Sequence, residues 1–486
     1  MYNQGVSFKE RFNLLLASGE LPDVIYTWGA DAITIAASGK YAELNGLIQE
    51  NMPNYMKICP ESMWDEVKYQ GKVYSISNVN LTLVNDYSND LYVDPMSCWT
   101  YWTRESILKK LGYKFTPLKE IEKMVNDQQK KPTFEDLKVE PAIETYEDFH
   151  NYLKKIKELN LKVNNMDIIP FTLPAALQIH FGCGYGVTNY WQNNGDKGWN
   201  GWLGSENTKD YYGWFNKLYN EKLVDQDFII QKPEQMQEKA ASGRVACGMW
   251  LPDVNKVRDS LKKLDPEDEL RPMLIPREAG KKMPIDHVNP VSFQFFVKKD
   301  FKDIPRLLKY FDWFYTDEAQ DMNNWGPESS GAWEMKDGKK VFKDEAVLQS
   351  LKKGESEKGT VAYEGYYKYG MGAKSKAFFS GPYAFPDMHT YQRSYPYTVT
   401  DIYAMAWNIL TQENLDVKGV IKPGFDDATN APSNYWWTTF SSNKSAKLIA
   451  AKDTAAFEKS WTEIYNEFIT TSKYEEAKKA FGDAQK

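Results

Sequence analysis

The first residues of the chain carry the apolar periodicity of an amphipathic helix. Residues 7–10 form a capping box, and Gly19 supplies a stop after the last apolar position. The apolar stripe consists of Phe8, Phe12, Leu15 and Leu16. Residues 21–26 then form a short apolar run that ends at Trp28, which predicts a buried strand. A helix that leads through a tight loop into a buried strand is typical of an α/β sheet.

Similar patterns recur along the chain. Amphipathic stretches predict helices at 107–111, 145–156, 208–223, 303–314 and 453–468. Residues 243–250 predict a buried strand that emerges at Trp250, whereas the charged, Pro-punctuated residues 114–142 predict a linker or a surface excursion. A chain of 486 residues exceeds what one hydrophobic core supports, so we expect two packed lobes.

The aromatic content adds a first indication of function. Aromatic residues make up 15% of the chain, with 16 Trp and 31 Tyr, whose polar tips favour half-wet positions. This surplus predicts a surface that stacks on flat ligand faces, such as sugar rings or nucleobases. The net charge of −7 and the low count of eight arginines argue against nucleic acid and favour sugar.

Motifs for catalysis and metal binding are missing from the sequence. Residues 326–331 have the glycine spacing of a P-loop but lack its Lys and Ser/Thr, and residues 182–186 fail the dinucleotide fingerprint. The four histidines are far apart, without a metal-binding pair, and no run of about 18 apolar residues predicts a membrane span. The four cysteines form no C-x-x-C pair; free buried thiols are favoured over a Cys59–Cys98 bridge. We predict no catalytic residues, no metal and no cofactor.

Short blocks of the sequence resemble family 1 of the extracellular solute-binding proteins, the receptors of sugar-importing ABC transporters. Residues 12–25 (FNLLLASGELPDVI) resemble the family pattern "lasG-lPDv", and residues 71–74 resemble "GkvY". Further matching blocks, in family order with these two, lie at 41–48 with 52–54, 104–112, 218–225, 241–245, 312–318, 324–326 and 336–339. Within the family, the chain is most similar to the large branch that binds oligosaccharides, including acidic ones such as alginate fragments.

The resemblance implies a two-lobed α/β fold of the periplasmic-binding-protein type II class, with hinge crossings and a ligand cleft between the lobes. The expected lobes are residues 1–140 with 280–345, and 141–279 with 346–486. Lobe closure would bury an oligosaccharide and present a joined surface to the membrane permease subunits of the importer. The resemblance further implies a monomer that is extracellular, as a membrane-anchored lipoprotein, or periplasmic.

Two departures from the family pattern concern the start of the chain and calcium. The lipobox cysteine, first strand and first helix of the family lie upstream of the segment with which this chain begins. We therefore interpret Met1 as a truncation or a misassigned start, so lipid-anchored export rests on the resemblance alone. Large-branch members often carry a calcium loop; residues 160–170 of this chain lack most of its oxygen ligands and its turn glycine, and we predict no calcium there.

Candidate ligand-binding residues are aromatic or acidic residues near strand ends and in the loop-rich last third. Trp28 and Trp250 each follow a buried strand, and Asp253 follows a strand-end proline. Trp436 and Trp437 are neighbours, so on a strand only one of them can belong to the core. The ligand-binding residues that we predict are Trp28, Trp250, Asp253, Trp325, Trp407, Tyr435 and Trp436.

Two other functions remain open at this point. A glycan hydrolase or lyase also uses an aromatic cleft with carboxylates, and it would cleave its ligand. A receptor of the same fold for peptides or another solute would rely on backbone hydrogen bonds rather than on stacking. The leading hypothesis is a receptor that binds an oligosaccharide without chemical change.

Overall fold

The structure of the protein is a computed structural model. It describes residues 8–28, 30–58, 64, 67–79, 100–128, 130, 132–188, 190–193, 198–281, 283–285, 291–316, 318–319, 322, 327–336, 339–352, 358–365, 402–403, 405–406, 409–410, 415–417 and 427–484.

Helices and strands are mixed along the chain, as the sequence predicts. The helices are α1 (Phe8–Ser18), α2 (Ala30–Ala37), α3 (Asn45–Asn51), α4 (Pro53–Ile58), α5 (Glu105–Lys110), α6 (Leu118–Asn126), α7 (Phe134–Leu137), α8 (Tyr146–Glu158), α9 (Gln178–Phe181), α10 (Thr208–Asn220), α11 (Pro233–Ala241), α12 (Val254–Leu264), α13 (Ile304–Trp313), α14 (Glu345–Lys352), α15 (Val361–Gly365), α16 (Asp427–Tyr435), α17 (Ser445–Ile449), α18 (Thr454–Thr471) and α19 (Tyr474–Ala484). A π-helix spans Trp436–Lys444, and 3₁₀ turns span Ala175–Leu177, Cys183–Tyr185, Trp202–Gly204 and Glu328–Ser330.

The strands form one three-stranded sheet, one four-stranded sheet and six two-stranded ladders in the described part of the chain. They are β1 (Val24–Trp28), β2 (Lys68–Tyr69), β3 (Lys72–Val73), β4 (Ser75–Val79), β5 (Thr100–Arg104), β6 (Lys114–Phe115), β7 (Val139–Glu140), β8 (Lys162–Val163), β9 (Met166–Asp167), β10 (Ile169–Thr172), β11 (Gln192–Asn193), β12 (Trp199–Asn200), β13 (Val245–Gly248), β14 (Leu270–Leu274), β15 (Met283–Ile285), β16 (Val291–Val297), β17 (Trp333–Lys336), β18 (Lys339–Phe342) and β19 (Leu415–Val417).

The chain divides into two compact units. Unit 1 contains the described residues within 1–90, 288–395 and 421–427, and unit 2 those within 91–287, 396–420 and 428–486. This division differs from the expected lobes in four described stretches. The described residues within 100–140 belong with unit 2 because β5 lies inside its sheet, and residues 280–281 with 283–285 also belong with unit 2. Residues 346–352 with 358–365 belong with unit 1, where Leu348 packs against the β17–β18 hairpin, and so does Asp427.

Unit 1 is built on an antiparallel sheet in the order β1-β16-β4. Trp28 ends β1 opposite Phe293, and both faces of the sheet carry apolar residues that pack against helices. The buried Asp312 of α13 joins two helices, because its carboxylate accepts hydrogen bonds from the backbone N–H groups of Asn54 and Tyr55 at 2.9 and 2.8 Å. The family-like block at 312–318 therefore begins with a residue that has a structural role.

Unit 2 is built on a mixed sheet in the order β10-β13-β5-β14. The strands β10, β13 and β14 run in one direction and β5 runs in the other. Aromatic rings fill the core beside this sheet: Phe149 lies 5.2 Å from Phe171 and 5.3 Å from Phe181, measured between ring centroids. Much of the aromatic surplus thus serves packing rather than a surface.

The stretch 114–142, predicted as a linker or a surface excursion, is folded, so the interpretation as a linker was wrong. It contains β6, α6, α7 and β7, and two of its backbone carbonyls receive hydrogen bonds from the buried Arg271. The acceptors are Thr116 and Leu137, at 2.9 and 2.7 Å. The charged, Pro-rich sequence does not indicate this role because the partner, Arg271, lies more than a hundred residues away.

No helix in the described part of the chain is long and apolar enough to cross a membrane.

Candidate functional site

Strand direction singles out one edge of the unit 2 sheet. Because β10, β13 and β14 run in parallel and β5 runs against them, Thr172, Gly248 and Leu274 lie at the same edge as Thr100. We call these four residues and the segments that follow the three parallel strands the strand-end edge. In open α/β sheets, ligands bind outside the carboxyl ends of the strands, so this is the edge at which a ligand is expected.

Trp250 is presented at the strand-end edge by unusual backbone geometry. It follows β13 by two residues, has a left-handed φ of 59° and is 46% exposed. Its backbone carbonyl accepts a hydrogen bond of 3.4 Å from the indole N–H of Trp102, which is 1% exposed. A Cβ on Gly248 would lie 2.7 Å from the Trp102 ring, so only glycine fits there. The ring of Trp102 is therefore buried in the core of unit 2, whereas Trp250 is exposed to solvent.

Asp253 lies three residues after Trp250 and begins α12. Its carboxylate accepts a hydrogen bond of 2.9 Å from the backbone N–H of Lys256, as an N-cap residue does. Its own backbone N–H donates to the side-chain oxygen of Gln237 at 2.7 Å. The Asp253 side chain is exposed, three residues after the exposed Trp250 along the chain. Two of the predicted residues therefore lie in the segment that follows β13.

A buried polar network holds the edge in place. The hydroxyl of Thr172 donates to Asp225 at 3.3 Å and accepts from the amide of Gln231 at 2.9 Å. Asp225 is 4% exposed and forms an ion pair of 2.8 Å with Lys239. The backbone carbonyl of Thr172 accepts the N–H of Met249 at 3.0 Å. The segment that carries Trp250 is thereby fixed to the end of β10.

The segment after β10 lies beside a second exposed ring, that of Trp437 on the π-helix. His180 of α9 lies with its ring 6.4 Å from that of Trp437, which is 42% exposed. The α9 helix is tied to the end of the π-helix, because the amide of Gln178 donates to the hydroxyl of Ser445 at 2.8 Å. Burial lowers the pKa of His180 to about 3, so its imidazole is neutral at physiological pH. Sequence reasoning did not select Trp437 or His180; a lone histidine favours a structural role.

The tryptophan pair 436–437 divides as expected, with one buried ring and one exposed ring, but on a helix rather than a strand. Trp436 is fully buried with its ring 4.6 Å from Phe440, and Tyr435 is 4% exposed with its ring 5.4 Å from Phe468. Burial, together with the carboxylate of Glu467, raises the pKa of Tyr435. As ligand contacts, Tyr435 and Trp436 stay predictions; in this structure both rings are packed inside unit 2.

The remaining predicted residues are placed elsewhere. Trp28 ends β1 in unit 1, where the structure describes its backbone only. Trp325 and Trp407 lie outside the described residues, as do Cys59 and Cys98. Cys247 is a free, buried thiol that donates to the carbonyl of Pro170 at 3.0 Å.

The stretch compared with a calcium loop forms a tight hairpin. The strands β8 and β9 are joined by Asn164 and Asn165, both with left-handed φ values of 49° and 59°. An ion pair of 2.9 Å between Lys162 and Asp167 crosses the hairpin and lowers the pKa of Asp167. Within the ranges that the structure describes, no three His, Cys, Asp or Glu side chains are grouped to hold a metal ion.

Solved structures of solute-binding proteins share this fold. The chain is similar to the alginate-binding protein AlgQ2 without calcium ion, with a TM-score of 0.64 and 18% identity over 98% of this chain and 89% of that chain. It is similar to the Streptococcus pneumoniae ABC-transporter substrate-binding protein FusA in complex with kestose, with a TM-score of 0.61 and 17% identity over 100% and 91% of the two chains. A third is an HMO-binding solute-binding protein from Bifidobacterium longum infantis, with a TM-score of 0.56 and 14% identity over 98% and 89%.

These similarities establish the fold. No protein-family model and no curated protein matches the sequence. The chain therefore has the two-lobed α/β fold of periplasmic-binding-protein-like solute-binding proteins, and the fold class predicted from the sequence is confirmed.

Proposed function

We propose that this protein is the substrate-binding component of an ABC importer and that it binds an oligosaccharide. One observation carries the proposal: in a solute-binding fold, an exposed tryptophan stands at the carboxyl ends of the parallel strands. Trp250 is the residue that we assign as a stacking platform. Of the three similar structures, the first is an alginate-binding protein, the second is in complex with kestose, and the third is an HMO-binding protein.

The chemistry of the edge suits a sugar. A flat indole face stacks on the apolar C–H face of a pyranose or furanose ring and tolerates different ring orientations. The neighbouring Asp253 supplies a carboxylate that accepts hydrogen bonds from sugar hydroxyls. Micromolar affinity corresponds to about 8 kcal/mol, which a few such contacts supply when the groups are held in place before binding.

The function is delivery rather than catalysis. The receptor releases its ligand unchanged to the membrane permease subunits of the importer, and it acts outside the cytoplasmic membrane, as an anchored lipoprotein or in the periplasm. The fold and the resemblance of the sequence blocks to family 1 solute-binding proteins support this proposal of partner and location. It predicts that the sugar is recovered intact after binding.

The test is a thermal-shift screen of the purified protein against neutral and uronic oligosaccharides, with chromatography of the recovered ligand. We expect a higher unfolding midpoint with at least one sugar, and the same sugar afterwards. A hit that returns cleaved contradicts the receptor assignment in favour of a glycan-active enzyme. No shift with any sugar, from a sample that unfolds cooperatively, indicates a different solute.

Two variants separate site binding from nonspecific stabilisation. Trp250→Ala removes the proposed platform, and Tyr310→Ala removes a 56% exposed aromatic ring from α13 of unit 1. The shift caused by the sugar decreases in the first variant and persists in the second. Equal loss in both variants contradicts the assignment of Trp250.

A further inference from the structure

Three arginines at one edge of the unit 2 sheet are bound by carboxylates of the protein itself. The edge opposite the strand-end edge contains Arg104, Arg271 and Arg258, each paired with a carboxylate at 2.6–2.9 Å. Their partners are Asp268, Glu105 and Glu269. These guanidinium groups satisfy buried carboxylates of the protein itself and are not directed toward the segment that carries Trp250.

Arg277, which follows β14 at the strand-end edge, also interacts with groups of the protein itself. Arg277 is 9% exposed; its Nε donates to the carbonyl of Lys281 at 2.8 Å, and its Nη2 lies 3.6 Å from the carboxylate of Glu144. Bidentate recognition of a carboxylate needs a guanidinium with both donors directed to the ligand. Arg277 directs its donors into the protein.

The turn that carries Trp250 has no net positive charge. Residues 249–256 contain one carboxylate, on Asp253, and one ammonium group, on the exposed Lys256. The N-terminus of α12, which attracts anions, is already capped by the carboxylate of Asp253. An anionic ligand beside Trp250 would therefore meet a fixed negative charge at the position where a helix otherwise binds anions.

The second exposed ring has a neutral neighbour as well. His180, next to Trp437, is uncharged at physiological pH because burial disfavours the imidazolium form. Trp250 and Trp437 are the two exposed tryptophans in the described part of unit 2. A hydroxyl-rich neutral ligand needs hydrogen-bond acceptors and ring faces, and the edge supplies both.

We infer that the strand-end edge selects neutral oligosaccharides over uronic ones, with the carboxylate of Asp253 as a selecting group. The inference rests on the proposed function and adds the ligand class to it. Asp253 accepts hydrogen bonds from sugar hydroxyls and repels a uronate carboxylate that stacks on Trp250. Because the imidazole of His180 is neutral, it places no positive charge beside Trp437 that would attract a uronate carboxylate.

The test compares ligands of equal length. Isothermal titration measures the Kd of neutral gluco-, manno- and fructo-tetrasaccharides and of a tetrasaccharide of uronic acid at low and at physiological salt. We expect the best neutral sugar to bind at least tenfold more tightly than the uronic one, with the larger difference at low salt because screening weakens the repulsion.

A residue-specific variant sharpens the result. Asp253→Asn keeps the N-cap of α12, since asparagine caps as well as aspartate does, and removes only the charge. We expect this variant to reduce the ratio of the affinity for neutral sugar to the affinity for uronic sugar severalfold, with an unchanged unfolding midpoint. The matched control is Asp453→Asn, which alters another N-cap in unit 2, that of α18, and leaves the ratio as it was.

The outcomes separate the two claims. Tighter binding of the uronic sugar overturns the inference about ligand class and leaves the proposed receptor function standing. Binding of no sugar overturns the proposed function itself. If Asp253→Asn has the same ratio of neutral to uronic affinity as the wild type, Asp253 is not the group that selects neutral sugars.

Discussion

The two edges of the unit 2 sheet show how one framework serves two purposes. At one edge, Arg271 is fully buried and is held by Glu105 at 2.9 Å. At the strand-end edge, Trp250 is nearly half exposed and its side chain extends from a left-handed turn. Buried ion pairs fix the strands at the first edge, whereas the carboxyl ends carry the exposed ring of Trp250 and the exposed carboxylate of Asp253. On the proposed function, the first edge is structural and the second contacts the ligand.

The largest effect is expected at the ion-paired edge. Arg271→Met leaves the carboxylate of Glu105 buried without its partner, which costs about 3–5 kcal/mol of unfolding free energy. Denaturant titration measures this loss, and Glu105→Gln in the same background recovers part of it because the uncompensated charge is gone. Sugar affinity of the folded variant stays unchanged. A Kd that changes in step with stability would remove the distinction between the edges.

The adjacent tryptophans 436 and 437 give a second comparison inside a single helix. Trp436→Ala creates a cavity in the core and costs about 3–5 kcal/mol, whereas Trp437→Ala changes stability by less than about 0.5 kcal/mol. Chemical unfolding of both variants measures the difference. Equal losses would contradict the placement of Trp437 at the surface.

The platform assignment predicts a smaller effect, on binding alone. Trp250→Ala weakens oligosaccharide binding about tenfold, which corresponds to about 1.4 kcal/mol, and leaves the unfolding free energy within about 0.5 kcal/mol. Trp250→Phe keeps a ring and retains most of the affinity. Titration calorimetry of the three proteins checks this; an alanine variant with wild-type affinity argues against stacking at this position.

The last effect depends on pH. The folded pKa of His180, about 3, lies below the usual value of about 6.5 in an unfolded chain, so between these values the unfolded state binds more protons. Stability contributed by neutral His180 is present above pH 6.5 and is lost as the pH falls toward 3, with a slope of at most about 1.4 kcal/mol per pH unit. His180→Gln removes this contribution, and unfolding curves from pH 7 to 4 show a shallower loss than in the wild type. If the wild type and His180→Gln lost the same unfolding free energy from pH 7 to 4, His180 would be accessible to protons in the folded state.

Local features of the fold were predictable from the sequence. The amphipathic stretch 145–156 forms α8 as expected, with a capping box at Thr145 and Asp148, and the apolar run after Gly19 forms β1 within a few residues. Asp303 caps α13, as its position before that amphipathic stretch indicates. In each case the determining contacts lie within a few residues along the chain, so periodicity and capping contain the necessary information.

The site was only partly predictable because its key properties depend on distant contacts. Trp250 could be selected since it directly follows a buried strand. The exposure of Trp437 rather than Trp436 depends on how the π-helix packs against α9 and α10, which residue spacing does not show. The same holds for the folded stretch 114–142, whose carbonyls serve Arg271.

The most direct measurement is a crystal structure of the protein with the best oligosaccharide from the binding screen. The account predicts a sugar ring stacked at about 4 Å on the indole of Trp250, with a hydroxyl hydrogen-bonded to Asp253. A bound sugar that leaves Trp250 in solvent and contacts other residues would contradict the account.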